Sequence, residues 1–491
     1  LRAFGISAWL AGLGGVIWAF SSYFFILIPA GHIWKFVTLA YIPPTIAGIV
    51  LAYRRKYLLG GIITALFIAL QIRSNHIQMS YYFMFVILFI IGAYFEEAYK
   101  KKELTHFFKA SAILALAAMV GVCINLSNLY HTYEYSKETM RGKSELKQEG
   151  NAANQTSSGL DRDYITNWSY GIGETLTLLV PNVKGGASSD NLSQSEAAME
   201  KANPMYSSIY SQFPQYFGDQ PWTAGPVYVG AFVMFLFVLG CFIVKGPLKW
   251  ALLGATIFSV LLSWGKNFMG LTDFFIDYVP MYNKFRAVSS ILVIAEFTIP
   301  LLAIFALKEI LGRPEILKLK ENRTGVIVSL VLTAGVSLVL AVAPGVFFSS
   351  FVTAQEMAAL QQGLPAEHLT PVVTNLTEMR KAIIASDAWR SFFIIVVGCF
   401  LLFLYQQKKL KASFTMTGIV LLCLIDMWTV NKRYLNDEQF VSKSNQTGAF
   451  VKTQTDEIIL QDTALNYRVL NFVGFPGNTF NENNTSYWHK S

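Results

Sequence analysis

The sequence predicts an all-α polytopic membrane protein with about eleven transmembrane helices, large extracytoplasmic loops and a soluble C-terminal tail. The first observation is composition: of 491 residues, 53% are hydrophobic and only 14% are charged, with a mean hydropathy of +0.42. Soluble proteins carry about 25% charged residues. The second is that many apolar runs approach the roughly 20 residues that a helix needs to cross about 30 Å of hydrocarbon. The third is that the basic residues cluster in short connectors between these runs.

The basic connectors predict the orientation of the chain. Clusters of Lys and Arg follow every even-numbered hydrophobic segment, and cytoplasmic loops carry such an excess, so the N-terminus is predicted to be cytoplasmic and the tail outside. The net charge of +8 lies largely in these connectors and forms no basic face with aromatic residues between the charges. Nucleic-acid binding is therefore not predicted. The predicted spans are 6–28, 35–53, 57–73, 80–98, 107–126, 225–244, 247–264, 288–307, 325–345, 390–406 and 413–430.

The segments divide the chain into four regions. Residues 1–126 form a first block of five helices, 127–224 a large extracytoplasmic loop, 225–430 a second block of six helices, and 431–491 the start of an extracytoplasmic soluble domain. In this tail, Tyr467–Phe475 is predicted to form a β-strand. A single strand makes no stable sheet, and the chain begins with Leu rather than Met. We therefore expect the sequence to be a truncated part of a longer protein.

The long loop contains the carboxylates that are candidates for acid–base catalysis. Asp161 and Asp163 flank Arg162, and Glu174 lies in GIGETLTLLVPN, which is predicted to be a short buried or re-entrant helix. A carboxyl group beside such an apolar run has a raised pKa, as a general acid or base requires. The alternative is that these acids are solvated on the outer surface.

Polar residues at the outer ends of the helices form a second group of candidates. His32 lies between the first two segments, while His76 and Gln78 lie between the third and fourth, so the two connectors are predicted to approach each other. Arg286 opens the eighth segment and is suited to gripping a phosphate with two hydrogen bonds. The alternatives are histidines bonded to backbone at the interface and an arginine that reaches lipid headgroups.

Two further acidic residues lie within the predicted spans. Asp426, near the outer end of the last segment, is predicted to pair with Lys432 or Arg433, and Glu296 is the only strong charge in the middle of a predicted span. No Walker loop, Gly-rich dinucleotide fingerprint or HExxH helix is present. The spacing of the histidines matches no pair of metal ligands on a helix. The sequence therefore predicts no metal site and no ATP-driven transport by this chain alone.

Three stretches resemble the bacterial YfhO-type membrane proteins: FSSYFFILIPAGHIWKFVTLAYIPP (Phe20–Pro44), SNHIQMSYYF (Ser74–Phe83) and SYGIGETLTLLVPNVKGG (Ser169–Gly186). The segments PVYVGAF and MYNKFRAVSSILVIAEF fit the same pattern, so the resemblance covers essentially the whole chain. It implies a GT-C-like glycosyltransferase of the bacterial cytoplasmic (inner) membrane, which takes a sugar from a polyprenyl-phosphate donor at the outer face. The implied partners are this lipid-linked donor, an envelope glycan or lipid acceptor, and membrane lipids.

The resemblance also implies roles for individual residues. Arg286 would hold the donor phosphate, and Glu174 would be the first candidate for catalysis, with Asp161 and Asp163 as weaker ones. GT-C enzymes of this kind place an acidic residue in the first outer loop, whereas here that loop is PAGHIWK and contains none. The expected catalytic acid therefore cannot be mapped onto this sequence, and the need for a divalent metal stays open. The pocket would be lined by His32, His76, Gln78, Asn182 and Glu174.

Two other functions stay open from the sequence. A transporter or flippase of a lipid-linked or polar solute would carry charges in mid-span and repeated sets of helices, and only the first of these features is present, at Glu296. A non-catalytic envelope scaffold would use the polar tail to bind its partners.

Overall fold

The computed structural model describes residues 1–142, 154–156, 159–442, 450–464, 466–472 and 483–490. Within these ranges the chain is helical and contains no β-strand. It divides into two compact units, Leu1–Leu435 and Asn436–Ser491. The prediction of an all-α chain rich in apolar helices is confirmed.

The helices fall into three groups along the first unit. Before the long loop they are α1 Ala8–Ala19, α2 Ser22–Leu27, α3 Ile33–Ala40, α4 Ile42–Tyr53, α5 Tyr57–Arg73, α6 Ile77–Lys100, α7 Leu104–Cys123 and α8 Leu126–Lys137. The described part of the loop contains the short helices α9 Arg162–Thr166, α10 Glu196–Met199 and α11 Ser207–Tyr210, and a 3-10 helix Gly173–Leu178. After the loop follow α12 Ala231–Ile243, α13 Pro247–Ser263, α14 Met269–Tyr278, α15 Val293–Gly312, α16 Lys320–Leu330, α17 Val336–Val342, α18 Ala354–Gly363, α19 Ala366–Gln406 and α20 Ala412–Tyr434.

Eight helical stretches of the described residues are long and apolar enough to cross a membrane. Five of them consist of two or more consecutive helices. A ninth stretch would join Pro247–Ser263 to Gly265–Tyr278, but the chain bends by 108° between these two parts. The eight stretches are Ala8–Leu27, Ile33–Tyr53, Ile77–Lys100, Leu104–Cys123, Val288–Gly312, Lys320–Val342, Ala366–Gln406 and Ala412–Gln439.

The predicted number of eleven spans is not confirmed. Segments 57–73 and 225–244 form helices of only 17 and 13 residues, α5 and α12. At about 1.5 Å per residue α12 is about 20 Å long, which is less than the roughly 30 Å of hydrocarbon. This helix packs against α15, α16 and α19, and most of its side chains are buried. Its apolar sequence is therefore explained by a position inside the protein. Because the predicted sidedness depends on the number of spans, it stays a prediction.

Helix α15 forms the centre of the first unit, with α1, α12 and α13 packed around it. Most of its residues are buried, as expected for a helix that is apolar on every side. Opposite it, the first span breaks between α1 and α2. Asn431 donates a hydrogen bond to the Phe20 carbonyl at this break (2.8 Å), and the Ser22 hydroxyl accepts one from the Tyr228 amide (2.7 Å). Side-chain hydrogen bonds therefore hold the chain on both sides of the break.

The connector between the predicted spans 325–345 and 390–406 is largely helical. Helix α19 begins at Ala366 and continues for 41 residues to Gln406, a length of about 60 Å. Because this is about twice the hydrocarbon thickness, the helix is longer than a membrane span requires. Its first half, which carries the polar residues, extends beyond the apolar half. This half packs in a separate hydrophobic cluster with Leu192 and Tyr210 of the long loop. We call this end of the helices the loop end.

Ion pairs fix the last two long helices near the loop end. Asp426 of α20 pairs with Arg390 of α19 (2.6 Å), so the prediction of Lys432 or Arg433 as its partner is wrong. Arg433 instead binds Asp387 through both of its terminal nitrogens (2.7 and 2.8 Å). The true partners come from the neighbouring helix, at a sequence separation that no local pattern indicates.

The second unit is small in its described part. It contains α21 Gln454–Ile459 and α22 Asn483–Trp488. The predicted strand Tyr467–Phe475 is not found, because residues 467–472 have no regular secondary structure. Positions 473–475 lie outside the described residues.

Candidate functional site

A cavity of about 140 Å³ opens at the loop end, where three parts of the chain meet. These are the stretch from α2 to the start of α3, the long loop around Trp168 and Trp222, and the turn before α15. A left-handed residue, Ala287 (φ 57°), separates Arg286 from the 3-10 turn that leads into α15. The residues lining the cavity are Tyr23, Ile26, Leu27, Ala30, His32, Lys35, Trp168, Tyr170, Gln220, Trp222, Thr223, Ala224, Gly225, Val227, Arg286, Ala287, Ser289 and Ser290.

The described lining of this loop-end cavity contains basic side chains but no acidic one. Burial lowers the pKa of His32, and the charges of Lys35 and Arg286 lower it further. Burial, with Lys35 as the main charged neighbour, lowers the pKa of His76 to about 4. Both imidazoles are therefore neutral at pH 7, and the positive charge comes from Lys35 and Arg286. Because no Asp or Glu is among the described residues that line the cavity, this charge is not balanced there.

Aromatic and amide groups hold Arg286 at the cavity. One terminal nitrogen of its guanidinium donates to the Tyr164 hydroxyl (2.6 Å), and the group lies over the rings of Tyr164 and Trp168. The backbone carbonyl of Arg286 accepts a hydrogen bond from Gln78 (2.7 Å), which also donates to Tyr82. None of the ion pairs among the described residues includes Arg286. Its other donors are therefore available to an anion in the cavity.

Glu174 lies behind one wall of the cavity, in the buried 3-10 helix that the sequence predicts. Its side chain is 2% exposed and accepts hydrogen bonds from the Gly171 amide (2.6 Å), the Tyr216 hydroxyl (2.6 Å) and the Asp219 amide (3.2 Å). Burial raises the pKa of its carboxyl group despite these bonds. Four residues that surround it also line the loop-end cavity: Tyr170, Gln220, Thr223 and Gly225. Glu174 thus links the segment around Gly171 to the segment Tyr216–Asp219 by hydrogen bonds, next to the cavity.

The two aspartates of the predicted catalytic group lie elsewhere. Asp161 precedes α9 and Asp163 is exposed, and neither lines the cavity. Arg162 between them binds Asp273 and Asp277 of α14 (2.6 Å each), so this charged cluster anchors the loop on the bent helix.

Asn182 is also separate from the cavity lining. Its backbone amide donates to Asp387 (3.1 Å), and its side-chain oxygen accepts a hydrogen bond from the Tyr434 hydroxyl (2.6 Å). These contacts join the long loop to α19 and α20. Of the predicted residues, the structure therefore brings together His32 and Arg286 at the cavity, with His76 and Gln78 beside them.

Sequence reasoning missed several residues of this site. Lys35 follows His32 at a spacing of one helical turn, which places both side chains on one face, so this signal was present in the sequence. Asp219, next to the lining residue Gln220, had no such signal. A methyl group added at Gly171 would lie 2.7 Å from an Asp219 carboxylate oxygen and 3.0 Å from one of Glu174. The exposed Asp219 and the buried Glu174 are therefore close neighbours.

Comparisons with known protein families, curated proteins and solved structures found no match to this chain. Among the described residues no group of three or more His, Cys, Asp or Glu side chains could hold a metal ion.

Proposed function

We propose that the loop-end cavity binds the phosphate of a lipid-linked sugar and that the protein is a GT-C-like glycosyltransferase. The observation that carries this proposal is that Lys35 and Arg286 both line a cavity whose described lining has no carboxylate. Two uncompensated positive charges in a partly desolvated site favour an anion strongly. The cavity lies at the ends of the apolar helices, which is where a lipid phosphate headgroup would enter it.

The arrangement of the side chains suits a phosphodiester. The guanidinium of Arg286 can give two parallel hydrogen bonds to phosphate oxygens, while Lys35 supplies a compact charge from α3. The rings of Trp168 and Trp222 provide flat apolar surfaces against which a sugar ring can pack. The apolar surface of the helices below the cavity would accept the isoprenoid chain.

Transfer of the sugar also needs a base for the acceptor hydroxyl, and we assign this role to Asp219. It would take the hydroxyl proton while the acceptor oxygen bonds to the anomeric carbon and the bond from that carbon to the lipid phosphate breaks. Asp219 is exposed next to Gln220 of the cavity lining, and Asn267 donates a hydrogen bond to its carboxylate (3.1 Å). Glu174 supports this arrangement by accepting the Asp219 amide.

Binding of a phosphodiester tests the anion site directly. We expect purified protein in detergent to bind geranyl methyl phosphate, and Lys35→Gln to weaken this binding about tenfold, because a hydrogen bond to a charged group contributes about 1.5–3 kcal/mol. Isothermal titration calorimetry would measure the dissociation constants. Lys56→Gln, in the basic connector after α4, is the control and should bind as the unmodified protein does. Equal affinities for Lys35→Gln and the control would contradict the proposal.

Two substitutions of a carboxylate by its amide distinguish the catalytic role of Asp219 from the structural role of Glu174. Asp219→Asn is expected to reduce transfer about 100-fold, the usual effect of losing a general base, without lowering the melting temperature. Glu174→Gln should lower the melting temperature while transfer stays within a few-fold of normal. The readout is the amount of sugar-modified envelope glycan per molecule of protein, together with thermal unfolding. The opposite pattern would return the catalytic role to Glu174.

A second candidate function is movement of the lipid-linked anion across the membrane, which Glu296 favours as a buried carboxyl group in a long apolar helix. Flipping of a fluorescent lipid phosphate in liposomes that contain the purified protein, with no transfer of sugar, would support this function over the first.

A further inference from the structure

Glu296 is a buried acid for which the proposed reaction has no use. It lies in α15, its side chain is 0% exposed, and neither carboxyl oxygen has a hydrogen-bond partner among the described residues. Other buried acids in the long helices are paired: Asp387 binds Arg433, and Asp426 binds Arg390. An unpaired carboxylate in such surroundings costs several kcal/mol unless it is protonated or compensated.

The carboxyl group faces the break in the first span. Ser21, at this break, is also fully buried, and its hydroxyl oxygen has no partner either. The Ser21 hydroxyl and the Tyr23 amide face the Glu296 carboxyl without reaching hydrogen-bond geometry. Polar groups at the break between α1 and α2 thus face Glu296. Membrane proteins commonly bind small cations and protons at such breaks in a helix.

Few other ionisable groups face Glu296. Tyr23 from α2 and Tyr170 from the long loop lie within electrostatic range. Around the adjacent residues of α15, helices α1, α6 and α13 contribute Trp18, Phe83 and Thr256, which do not titrate. The basic residues of the site, Lys35 and Arg286, line the cavity. A change in the charge of Glu296 would therefore act mainly on Tyr23, Tyr170 and the groups next to them.

Tyr23 and Tyr170, which lie within electrostatic range of Glu296, both line the loop-end cavity, so Glu296 is separated from the cavity by its lining. An anion in the cavity and an ionised Glu296 would repel each other across a region of low dielectric. We infer that the cavity binds its anion together with one proton, which is taken up from water by the Glu296 carboxylate. This inference rests on the proposed anionic ligand. By thermodynamic reciprocity, protonation of Glu296 strengthens anion binding by the same factor by which the anion favours protonation.

The linkage has a definite sign. Where Glu296 is ionised in the empty protein and protonated in the complex, anion binding weakens as pH rises, by at most about tenfold per pH unit. His32 and His76 would also take up protons near an anion, but their pKa values are lowered in the empty protein. Measurements above about pH 7.5 therefore keep the histidine contribution small. Burial and the charge of Arg286 lower the pKa of Lys35 to about 8, so Lys35 takes up protons with the anion as well, and only the difference from a Glu296 variant reports Glu296.

Calorimetry with geranyl methyl phosphate counts the protons. This diester keeps one negative charge throughout, so titrations at about pH 8 in two buffers of different ionisation enthalpy report uptake by the protein alone. We expect the unmodified protein to take up more protons per anion than Glu296→Gln, by up to about one, because the share that Lys35 takes up is common to both proteins. Glu309→Gln, in the opposite half of α15, is the matched control and should behave as the unmodified protein.

The outcomes separate this inference from the proposed function. Anion binding with equal proton uptake in the unmodified protein and Glu296→Gln would overturn the inference and leave the proposed function intact. Absence of anion binding by the unmodified protein would overturn both. If Glu296→Gln does not fold, Ser21→Ala takes its place, because loss of the facing hydroxyl should move the pH dependence of binding to higher pH. An unchanged pH profile in Ser21→Ala would then overturn the inference.

Discussion

Replacing Arg286 by alanine is expected to remove most of the sugar-modified envelope glycan at unchanged protein level. The guanidinium would give the donor phosphate charge-assisted hydrogen bonds, each contributing about 1.5–3 kcal/mol. Loss of about 3 kcal/mol corresponds to a reduction of about 150-fold in the stabilisation of the bound donor. Arg286→Lys keeps the charge but not the two-pronged geometry, so we expect an intermediate loss. Glycan analysis of cells that produce each variant, with the protein quantified by immunoblot, measures these effects.

The control for this prediction is Arg73→Ala. Arg73 is an exposed arginine at the end of α5, and it does not line the cavity. A general effect of removing positive charge from this part of the protein would appear in both variants. Normal glycan in Arg286→Ala would contradict the assignment of the phosphate site.

Replacing Arg380 by methionine is expected to cause the largest loss of stability. Arg380 is fully buried on α19, binds both carboxylate oxygens of Glu356 (2.8 and 2.5 Å), and donates to the carbonyls of Phe351 and Pro214. Removing one partner of a buried ion pair costs about 3–5 kcal/mol, because the other charge is left uncompensated. Thermal unfolding of the purified protein in detergent measures the change.

The adjacent lysine provides a matched comparison. Lys381 pairs with Glu378 on the same helix (2.9 Å), but both side chains are substantially exposed, and such pairs contribute only about 0–1 kcal/mol. Lys381→Met should therefore leave the melting temperature nearly unchanged. The double variant Arg380→Met, Glu356→Gln should recover part of the lost stability because no charge is left buried. Equal melting temperatures for Arg380→Met and Lys381→Met would show that the ion pair does not stabilise the protein.

Hydrophobic run length was sufficient to predict the apolar helices, but not the polar ones such as α18, nor which helices cross a membrane. All eleven predicted segments coincide with helices, yet the segment at 225–244 became the short buried helix α12. Apolar residues are required both by lipid contact and by burial against other helices, so composition alone cannot separate the two cases. Only the observed neighbours of α12 do so.

The candidate site was predictable where a residue stands out against its local sequence. His32 and Arg286 interrupt apolar stretches at helix ends, and they do meet at one cavity. Asp219 lies in a polar loop among many similar residues, so its position next to Glu174 depends on the folding of the whole loop. The same limit applies to the ion pair of Asp426 with Arg390, which joins two separate helices.

Helix α19 is one continuous helix that joins the apolar part of the protein to the long loop. It has no break between its apolar half and the half that holds Pro214 through Arg380. Pro214 is close in sequence to Gln220 and Trp222 of the cavity wall. With an arm of about 30 Å, a tilt of about 5° within the apolar layer would displace the far end by about 3 Å. A tilt of the apolar half of α19 would therefore be transmitted to Pro214 of the long loop, which Arg380 holds.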